Sequence, residues 1–292
     1  MESGVSFLFC GHCGHELPKS QDGVPVHHGC EKQRAALEAH RCLVEAEDAA
    51  HEAQEAQEAE GEDVTQPAPH PAKFSDPLIP LIAEQVKGCQ LLLDPFAGVG
   101  KIALVKSFGF DGKVFCNELE PEWADQALAC GADRVLVGDC RKLEKRYAER
   151  FDAIATSPCY GNRMADHHDA TDDSVRITYT HKLGRKLTEG SSGVLKWGKA
   201  YRDFHLEAWT SILKCLTSGG LFVLNISDHI RGGEVMPVTR WHVLVLQGLG
   251  LVVVDWTKVE TRRMRRGENH ELRVEHESLI TFQKVDLKTL GS

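Results

Sequence analysis

Two glycines in the middle of the sequence are placed where a ligand could approach the backbone. Gly98 and Gly100 follow a short apolar run and are followed by Ala103. This spacing fits the loose G-x-G-x-x-A pattern of dinucleotide-binding loops, and Glu118 lies at a suitable distance to bind a ribose. Taken alone, the pattern is equally typical of a tight strand-to-helix turn without a ligand. A Walker phosphate loop is excluded, because Lys101 is not followed by serine or threonine.

Cysteine and histidine cluster near the start of the sequence, in the spacing of a metal site. A C-x-x-C pair is followed, after about one hairpin, by an H-x-x-C pair. Three thiolates and one imidazole form a common tetrahedral ligand set for structural Zn²⁺. The four predicted ligands are Cys10, Cys13, His27 and Cys30. His28 could replace His27, and free cysteines in a tail remain the alternative.

A longer motif surrounds the glycine loop. The run Asp94-Pro95-Phe96-Ala97-Gly98-Val99-Gly100 resembles the first motif of S-adenosylmethionine-dependent methyltransferases, in the form typical of DNA amino-methyltransferases. The resemblance implies S-adenosylmethionine as the cofactor. It also implies that this loop contributes several cofactor-binding residues, which are Asp94, Pro95, Phe96, Gly98 and Gly100.

Further segments match the motifs of this family in the same order. Glu118 ends the second predicted strand, and the resemblance implies that it holds the ribose hydroxyls. Asp139 ends the third strand, at the position that bonds the adenine amino group in the family. Upstream, Lys73 and Phe74 belong to a segment that resembles the family motif packed beside the methionine end of the cofactor. Ligands of parallel sheets bind at the carboxyl ends of the strands, so we expect these residues to lie together.

The motif that implies catalysis follows the fourth strand. Ser157-Pro158-Cys159-Tyr160 is similar to the (D/N/S)-P-P-(Y/F) motif of the family. The resemblance implies that Ser157 Oγ and the Pro158 carbonyl accept hydrogen bonds from an amino group, and that Tyr160 stacks on the target ring. Such a pocket acts on a base that has been flipped out of the duplex. We therefore predict a DNA methyltransferase, with cytosine N4 as the target.

Three alternatives stay open. A serine in the first position leans towards cytosine N4, but adenine N6 is the second possibility. Cys159 replaces the second proline of the motif, and a Pro-Cys pair could instead attack cytosine C6 in a cytosine-5 methyltransferase. That chemistry requires a glutamate motif after the fifth strand, where the sequence has Asn225-Ile226-Ser227-Asp228. The chain could also be a DNA-binding homologue that has lost catalytic activity.

The charge distribution is compatible with DNA as the partner. The net charge is −9, but residues 1–69 contain 14 acidic and 4 basic residues. Residues 70–292 contain 29 acidic and 30 basic residues. Basic residues are frequent in the polar segment 161–199 and in the arginine-rich segment 261–267. Clustered arginines suit contacts with phosphates and guanines.

The remaining sequence indicates the elements that must position these residues. We predict a zinc knuckle over residues 1–30, an Ala/Glu-rich helix and linker over residues 31–69, and a methyltransferase domain over residues 70–292. In the last of these, apolar strands alternate with amphipathic helices, which predicts an α/β fold with a mostly parallel, Rossmann-like sheet. The final strand pair predicts an antiparallel last strand. Because no apolar stretch is long enough to cross a membrane, and because no secretory signal is recognisable, we expect a cytoplasmic protein.

Overall fold

The computed structural model describes residue 74 and residues 77–161, 179–231, 233–261 and 274–285. The predicted zinc knuckle, the Ala/Glu-rich helix with its linker, and Lys73 lie outside these residues. Most of the arginine-rich segment between the last two strands also lies outside them. Within the described residues, no helix combines the length and the apolar character that a membrane span requires.

Strands in the described part of the chain form a large sheet and a small hairpin. They are β1 (Leu91–Asp94), β2 (Lys113–Glu118), β3 (Arg134–Val137), β4 (Phe151–Thr156), β5 (Leu216–Ile226), β6 (His229–Arg231), β7 (Glu234–Met236), β8 (Leu251–Glu260) and β9 (His276–Lys284). The large sheet has seven strands in the order β3-β2-β1-β4-β5-β9-β8, and β6 pairs with β7.

Helices connect most of these strands. The α-helices of the described residues are α1 (Leu78–Gln85), α2 (Pro121–Ala129), α3 (Glu144–Tyr147), α4 (Tyr179–Leu183), α5 (Lys199–Cys215) and α6 (Val238–Gly248). Three shorter-pitch 3₁₀ helices cover Lys101–Phe108, Cys140–Lys142 and Ser192–Val194.

The direction of the strands confirms the predicted fold class. Strands β1 to β5 are parallel to one another, whereas β9 is antiparallel to both β5 and β8. This strand order with one reversed strand is a Rossmann-like α/β arrangement. The carboxyl ends of β1, β2, β4 and β5 therefore meet at one edge of the sheet, where such folds bind ligands.

Both faces of the sheet are covered by apolar side chains. Leu93 and Ile154 point to the face that packs against α5 and α6, where Trp209 is fully buried. Their neighbours along the strands, Leu92 and Ala153, point to the face that packs against α1. Successive residues of a strand point to opposite faces of the sheet. Each pair of consecutive apolar residues therefore contributes one side chain to each of the two apolar layers.

Two local features depart from regular helix and strand geometry. The segment after the glycine loop forms a 3₁₀ helix. Strand β5 begins at Leu216, directly after α5, and its pairing with β4 is irregular between Phe151 and Ala153. Gly219 lies in this irregular part with φ of 74°, a conformation that a glycine adopts without strain. Gly219 is thus part of a bulged strand.

Candidate active site

The glycine loop after β1 adopts a conformation that requires glycine. Gly98 has φ of 52° and Gly100 has φ of 76°, and residues with side chains rarely adopt such angles. A Cβ atom on Gly100 would lie 2.6 Å from both Cα and Cβ of Ala127 on α2. The lack of a side chain at Gly100 therefore allows α2 to pack against the loop. Gly98 N–H donates a 2.7 Å hydrogen bond to Glu118 Oε2, which joins the loop to β2.

Asp94, at the end of β1, is a fully buried carboxyl group with one unused oxygen. Its Oδ1 accepts hydrogen bonds from Thr156 Oγ1 at 2.6 Å and from Phe96 N–H at 3.0 Å. Its Oδ2 is buried and has no partner among the described residues. Burial raises the pKa of Asp94 to about 7, although both hydrogen bonds lower it. An unpaired buried oxygen suits a ligand that donates a hydrogen bond or carries positive charge.

Glu118, at the end of β2, is held by three backbone N–H groups. Oε1 accepts hydrogen bonds from Leu119 at 2.8 Å and Glu120 at 3.0 Å, and Oε2 accepts the bond from Gly98. Burial raises the pKa of Glu118 to about 7, against the lowering effect of these bonds. A carboxylate has about four acceptor positions, so one remains for a ribose hydroxyl. Asp94 and Glu118 together fit the cofactor that the motifs imply.

Asp139 lies after β3, as the motif order predicts, but it is engaged by a neighbouring arginine. Arg141 Nε lies 3.0 Å from Asp139 Oδ1, and Arg141 Nη2 lies 2.7 Å from Oδ2. Although partial burial raises it, the bonds from Arg141 hold the pKa of Asp139 below its usual value. The Arg141 guanidinium also lies 4.8 Å from the centre of the Phe204 ring. An adenine amino group would therefore share Asp139 with Arg141.

The other loop residues position the backbone by packing. Phe96 stacks on His205 of α5 with ring centres 5.9 Å apart. Phe74 is 6% exposed and belongs to the apolar layer that contains α1. The Pro95 carbonyl accepts a 3.2 Å hydrogen bond from Asn117 Nδ2. Phe96 and Pro95 are thus held in place within the loop, and Phe74 packs on the opposite face of the sheet.

Ser157 and Tyr160 lie together at the same edge, directly after β4. Ser157 Oγ and the Tyr160 hydroxyl are 3.0 Å apart. We call these two side chains, with the Pro158 carbonyl, the catalytic corner. Thr156, which immediately precedes Ser157, bonds to Asp94 as described above. The Thr156–Asp94 bond thus joins the segment that contains Ser157 and Tyr160 to the strand end that carries Asp94.

Cys159 lies between Pro158 and Tyr160 of the catalytic corner, but its thiol is poorly suited to nucleophilic attack. Its thiol lies 3.7 Å from the Tyr179 hydroxyl. Burial raises the pKa of the Cys159 thiol, although hydrogen bonds to neighbouring hydroxyls lower it. A nucleophilic cysteine requires a lowered pKa, because the thiolate is the reactive form. This environment disfavours the cytosine-5 chemistry that the Pro-Cys pair left open.

Two residues at this edge were not predicted as site residues. Asn225, at the end of β5, is 1% exposed, and Glu277, near the start of β9, is 7% exposed. Asn225 Nδ2 lies 2.9 Å from Glu277 Oε2, 3.1 Å from the Tyr160 hydroxyl and 3.2 Å from Ser157 Oγ. The available sequence signal was a polar residue at the carboxyl end of β5 and another at the amino end of an antiparallel strand.

Part of the polar segment that was expected to contact DNA packs on the cofactor side of the domain. Arg185 Nη2 lies 2.7 Å from Oε2 of the buried Glu120 and also pairs with Glu122. Thr188 donates two 2.8 Å hydrogen bonds to Glu120. Tyr179 packs edge-on against Trp123 of α2 with ring centres 5.4 Å apart. Arg185 is therefore engaged within the protein.

The metal prediction lies outside the described residues. None of the four predicted ligands is among the described residues; they are Cys10, Cys13, His27 and Cys30. Within the described residues, no group of three or more His, Cys, Asp or Glu side chains is arranged to hold a metal ion. The zinc site therefore stays a prediction.

Comparison with known proteins finds similarity to solved structures alone. No protein-family model matches the sequence, and no curated protein matches it. A solved structure with a similar fold is TrmN from Thermus thermophilus, at 16% identity and a TM-score of 0.42. The match covers 72% of this chain and 48% of TrmN, so the chain spans about half of that protein.

Two further solved structures are similar over most of their length. The N-methyltransferase NodS from Bradyrhizobium japonicum has 12% identity and a TM-score of 0.46, with 72% of this chain and 93% of NodS covered. The 1,6-didemethyltoxoflavin-N1-methyltransferase from Burkholderia thailandensis has 15% identity and a TM-score of 0.43, with 90% and 94% covered. That structure contains S-adenosylhomocysteine. At these identities, the likeness concerns the fold alone.

Proposed function

We propose that the chain is an S-adenosylmethionine-dependent methyltransferase that modifies an exocyclic amino group of a DNA base, with cytosine N4 as the target. Support comes from the motif residues and from the way they are joined at one sheet edge. The Thr156–Asp94 hydrogen bond of 2.6 Å carries most weight. It joins the strand end that leads into Ser157 directly to the carboxyl group at the start of the glycine loop.

The buried acids and the glycine loop are assigned to the cofactor. Asp94 Oδ2 would accept a hydrogen bond from the methionine part, and Glu118 would accept one from the ribose. S-adenosylmethionine, when bound, supplies an electrophilic methyl group on a positively charged sulfur. The backbone around Gly98 and Gly100 is held by Glu118 and α2, so this surface is organised before the ligand arrives.

The catalytic corner is assigned to the amino group. The nitrogen lone pair of an exocyclic amine is delocalised into its ring. When Ser157 Oγ and the Pro158 carbonyl accept the two N–H bonds, the lone pair is concentrated on the nitrogen and oriented towards the methyl group. Catalysis then depends on orientation and on fixed dipoles. This role needs no thiolate, which agrees with the raised pKa of Cys159.

The assignment of DNA depends on the motif type and on charge. The Ser-Pro-Cys-Tyr motif is similar to that of DNA amino-methyltransferases, and residues 70–292 have one more basic than acidic residue. Four arginines, at 262, 263, 265 and 266, follow β8 in the sequence. A protein that neutralises phosphates with such residues binds DNA more weakly as the salt concentration rises.

One experiment tests the reaction and separates the alternatives. The full-length protein is incubated with duplex DNA and S-adenosylmethionine, and the digested nucleosides are identified by mass spectrometry. We expect N4-methylcytosine. N6-methyladenine would assign the second target, and 5-methylcytosine would assign the thiol chemistry. Cofactor and DNA binding without any product would indicate an inactive homologue, and no cofactor binding would refute the proposal.

A pair of serine variants tests the assigned role of Ser157. Ser157→Ala should lower methyl transfer by roughly 100-fold, with nearly unchanged cofactor affinity. Ser211→Ala is the control, because Ser211 is a buried serine that accepts a hydrogen bond from the Glu144 backbone on another part of the fold. Equal turnover of the two variants would remove Ser157 from the mechanism.

The zinc and cellular assignments belong to the same proposal. We infer that one Zn²⁺ is held by Cys10, Cys13, His27 and Cys30, and that the protein acts in the cytoplasm. Elemental analysis of the purified chain should give one zinc per molecule. Cys13→Ala should remove it, whereas Cys215→Ala, at a buried cysteine of α5, should not.

A further inference from the structure

Asn225 and Glu277 form a buried amide–carboxylate pair directly behind the catalytic corner. Strands β5 and β9 are antiparallel, and Ile226 faces Ser278, so the end of one strand lies beside the start of the other. This pairing brings the Asn225 amide within 2.9 Å of the Glu277 carboxylate. The same amide nitrogen lies within hydrogen-bond distance of Ser157 and Tyr160.

Glu277 determines which end of the Asn225 amide faces the corner. A carboxylate only accepts hydrogen bonds, whereas an asparagine side chain has one donor and one acceptor end. The reverse orientation would place the Asn225 oxygen against the Glu277 carboxylate at 2.9 Å. The NH₂ group therefore faces Glu277, and the same group faces Ser157 and Tyr160. Asn225 is thus a hydrogen-bond donor to the corner.

This orientation is compatible with an ordered chain of hydrogen bonds through the corner. One hydrogen of the Asn225 NH₂ group is donated to Glu277, and the other lies within reach of the Tyr160 hydroxyl at 3.1 Å and of Ser157 Oγ at 3.2 Å. The two hydroxyls are 3.0 Å apart, and either of them can be the donor. When Asn225 donates to Tyr160 and Tyr160 donates to Ser157, Ser157 keeps its own O–H hydrogen and one lone pair for a ligand.

We propose that Asn225 and Glu277 are positioning residues that select a target whose amino group stands beside a ring-nitrogen acceptor. Ser157 donates its hydrogen to the ring nitrogen, and its remaining lone pair accepts from the amino group. The inference rests on the proposed function and deepens it. The arrangement fits N3 and the N4 amino group of neutral cytosine, or N1 and the N6 amino group of adenine.

The wild-type protein provides the first test. Two synthetic duplexes are compared, one with deoxycytidine and one with 3-deazadeoxycytidine at the methylated position, the latter having carbon in place of the ring nitrogen. If adenine is the target, 1-deazaadenine is used in the same way. We expect kcat/KM to fall by about tenfold or more, because the Ser157 hydrogen loses its acceptor. Equal rates on both duplexes would overturn the inference.

An exchange of the two side-chain types provides the second test. The double variant Asn225→Asp/Glu277→Gln keeps one amide and one carboxylate, but the carboxylate now faces the corner. Tyr160 and then Ser157 would donate towards it, so Ser157 loses its hydrogen for the ligand. We expect kcat to fall at least tenfold, cofactor affinity to stay within about twofold, and discrimination against the deaza duplex to disappear. A purely structural pair would instead tolerate the exchange.

A second amide–carboxylate pair serves as the control. Gln85 Nε2 and Asp255 Oδ2 are also 2.9 Å apart, between α1 and the middle of β8. The exchange Gln85→Glu/Asp255→Asn should leave kcat and the discrimination unchanged. If wild-type protein methylates no base, the proposed function and this inference both fail. If it methylates DNA but the Asn225/Glu277 exchange keeps wild-type kcat and discrimination, only this inference fails.

Discussion

The Tyr201 hydroxyl donates a 2.7 Å hydrogen bond to the backbone carbonyl of Cys159, which joins the fully buried side of α5 to the catalytic corner. The Tyr201 hydroxyl also lies 2.9 Å from His242 Nε2. On the other side of the ring, Trp209 Nε1 donates to His242 Nδ1 at 2.9 Å. Because burial lowers the pKa of His242 well below its usual value, the ring is neutral. Its proton must then be on Nε2, since Nδ1 accepts from Trp209.

Removal of this hydroxyl should affect the reaction more than the fold. Tyr201→Phe removes the hydroxyl that bonds to the Cys159 carbonyl and to His242 Nε2, so the backbone of the corner loses one fixed point. We expect kcat to fall by about tenfold and the free energy of unfolding by about 1–3 kcal/mol. Single-turnover kinetics and denaturant unfolding measure the two effects.

Tyr147→Phe is the matched control for this variant. Tyr147 is also buried, but its hydroxyl has no hydrogen-bond partner among the described residues. Removing an unpaired buried hydroxyl should leave stability equal or higher, and kcat unchanged. If Tyr201→Phe behaved like Tyr147→Phe in both measurements, the bond to Cys159 would have no part in positioning the corner.

The strand ends that carry the acids could be predicted because the signal is local. Short apolar runs followed directly by Asp94, Glu118 and Asp139 indicate buried strands that end at a polar edge. The side of the sheet follows from the parallel topology without any knowledge of contacts. The placement of these residues at the ends of parallel strands could therefore be predicted, whereas the engagement of Asp139 by Arg141 was not foreseen.

The residues that sequence reasoning missed act through pairs that are distant in the chain. Asn225 meets Glu277 across 52 residues, and Arg185 meets Glu120 across 65 residues. No spacing rule relates such positions, because each pair forms only after the sheet and the following segment have folded. Each residue taken alone also has a simple interpretation as a polar group at the end of an element.

Cys159 should be dispensable for methyl transfer. Burial raises the pKa of its thiol, so the thiolate is scarce near neutral pH. We expect Cys159→Ala to keep activity within about threefold of wild type, with a small loss of stability from the missing sulfur. Turnover with labelled cofactor and thermal unfolding measure these changes.

A covalent adduct with a modified base would identify the cytosine-5 reaction directly. DNA that contains 5-fluorocytosine forms a stable adduct with enzymes that attack C6 through a thiolate. We expect no adduct on denaturing gels with wild-type protein. An adduct that disappears in Cys159→Ala would establish the cytosine-5 reaction and refute the amino-group assignment.

Arg185 should stabilise the segment that packs beside the cofactor residues. Arg185→Ala leaves Glu120, which is 1% exposed, with only its bonds to Thr188. Because the arginine itself is partly exposed, we expect a loss of roughly 1–2 kcal/mol rather than the larger cost of a fully buried pair. Limited proteolysis should show faster cleavage between α4 and α5.

The exposed pair Lys199–Asp203 provides the comparison for Arg185. These side chains are 85% and 59% exposed, and exposed pairs contribute little. Lys199→Ala should leave proteolysis and unfolding unchanged. If Arg185→Ala were equally silent, the contacts with Glu120 and Glu122 would not hold the segment.

Stability should depend on pH through Asp94. Its pKa is raised by burial from 3.8 to about 7 in the folded protein, so folding disfavours the charged form. The contribution of Asp94 to the free energy of unfolding is complete below about pH 4 and is lost as the pH rises through 7. The difference amounts to up to about 4 kcal/mol between the two limits. Asp94→Asn should flatten this part of the unfolding free energy measured from pH 4 to pH 8.

The affinity for the cofactor should rise with pH, whereas the contribution of Asp94 to stability falls. The opposite trends distinguish a carboxyl group that binds the ligand from one that is merely buried. S-adenosylmethionine carries a positively charged sulfur, so it binds better when Asp94 and Glu118 are ionised, and its affinity should rise between pH 6 and pH 8. Asp94→Asn should weaken binding and remove part of this rise, whereas Asp111→Asn, at an exposed position, should change neither. Calorimetry at several pH values gives both quantities. An affinity independent of pH in the wild-type protein would show that these two carboxyl groups do not face the cofactor.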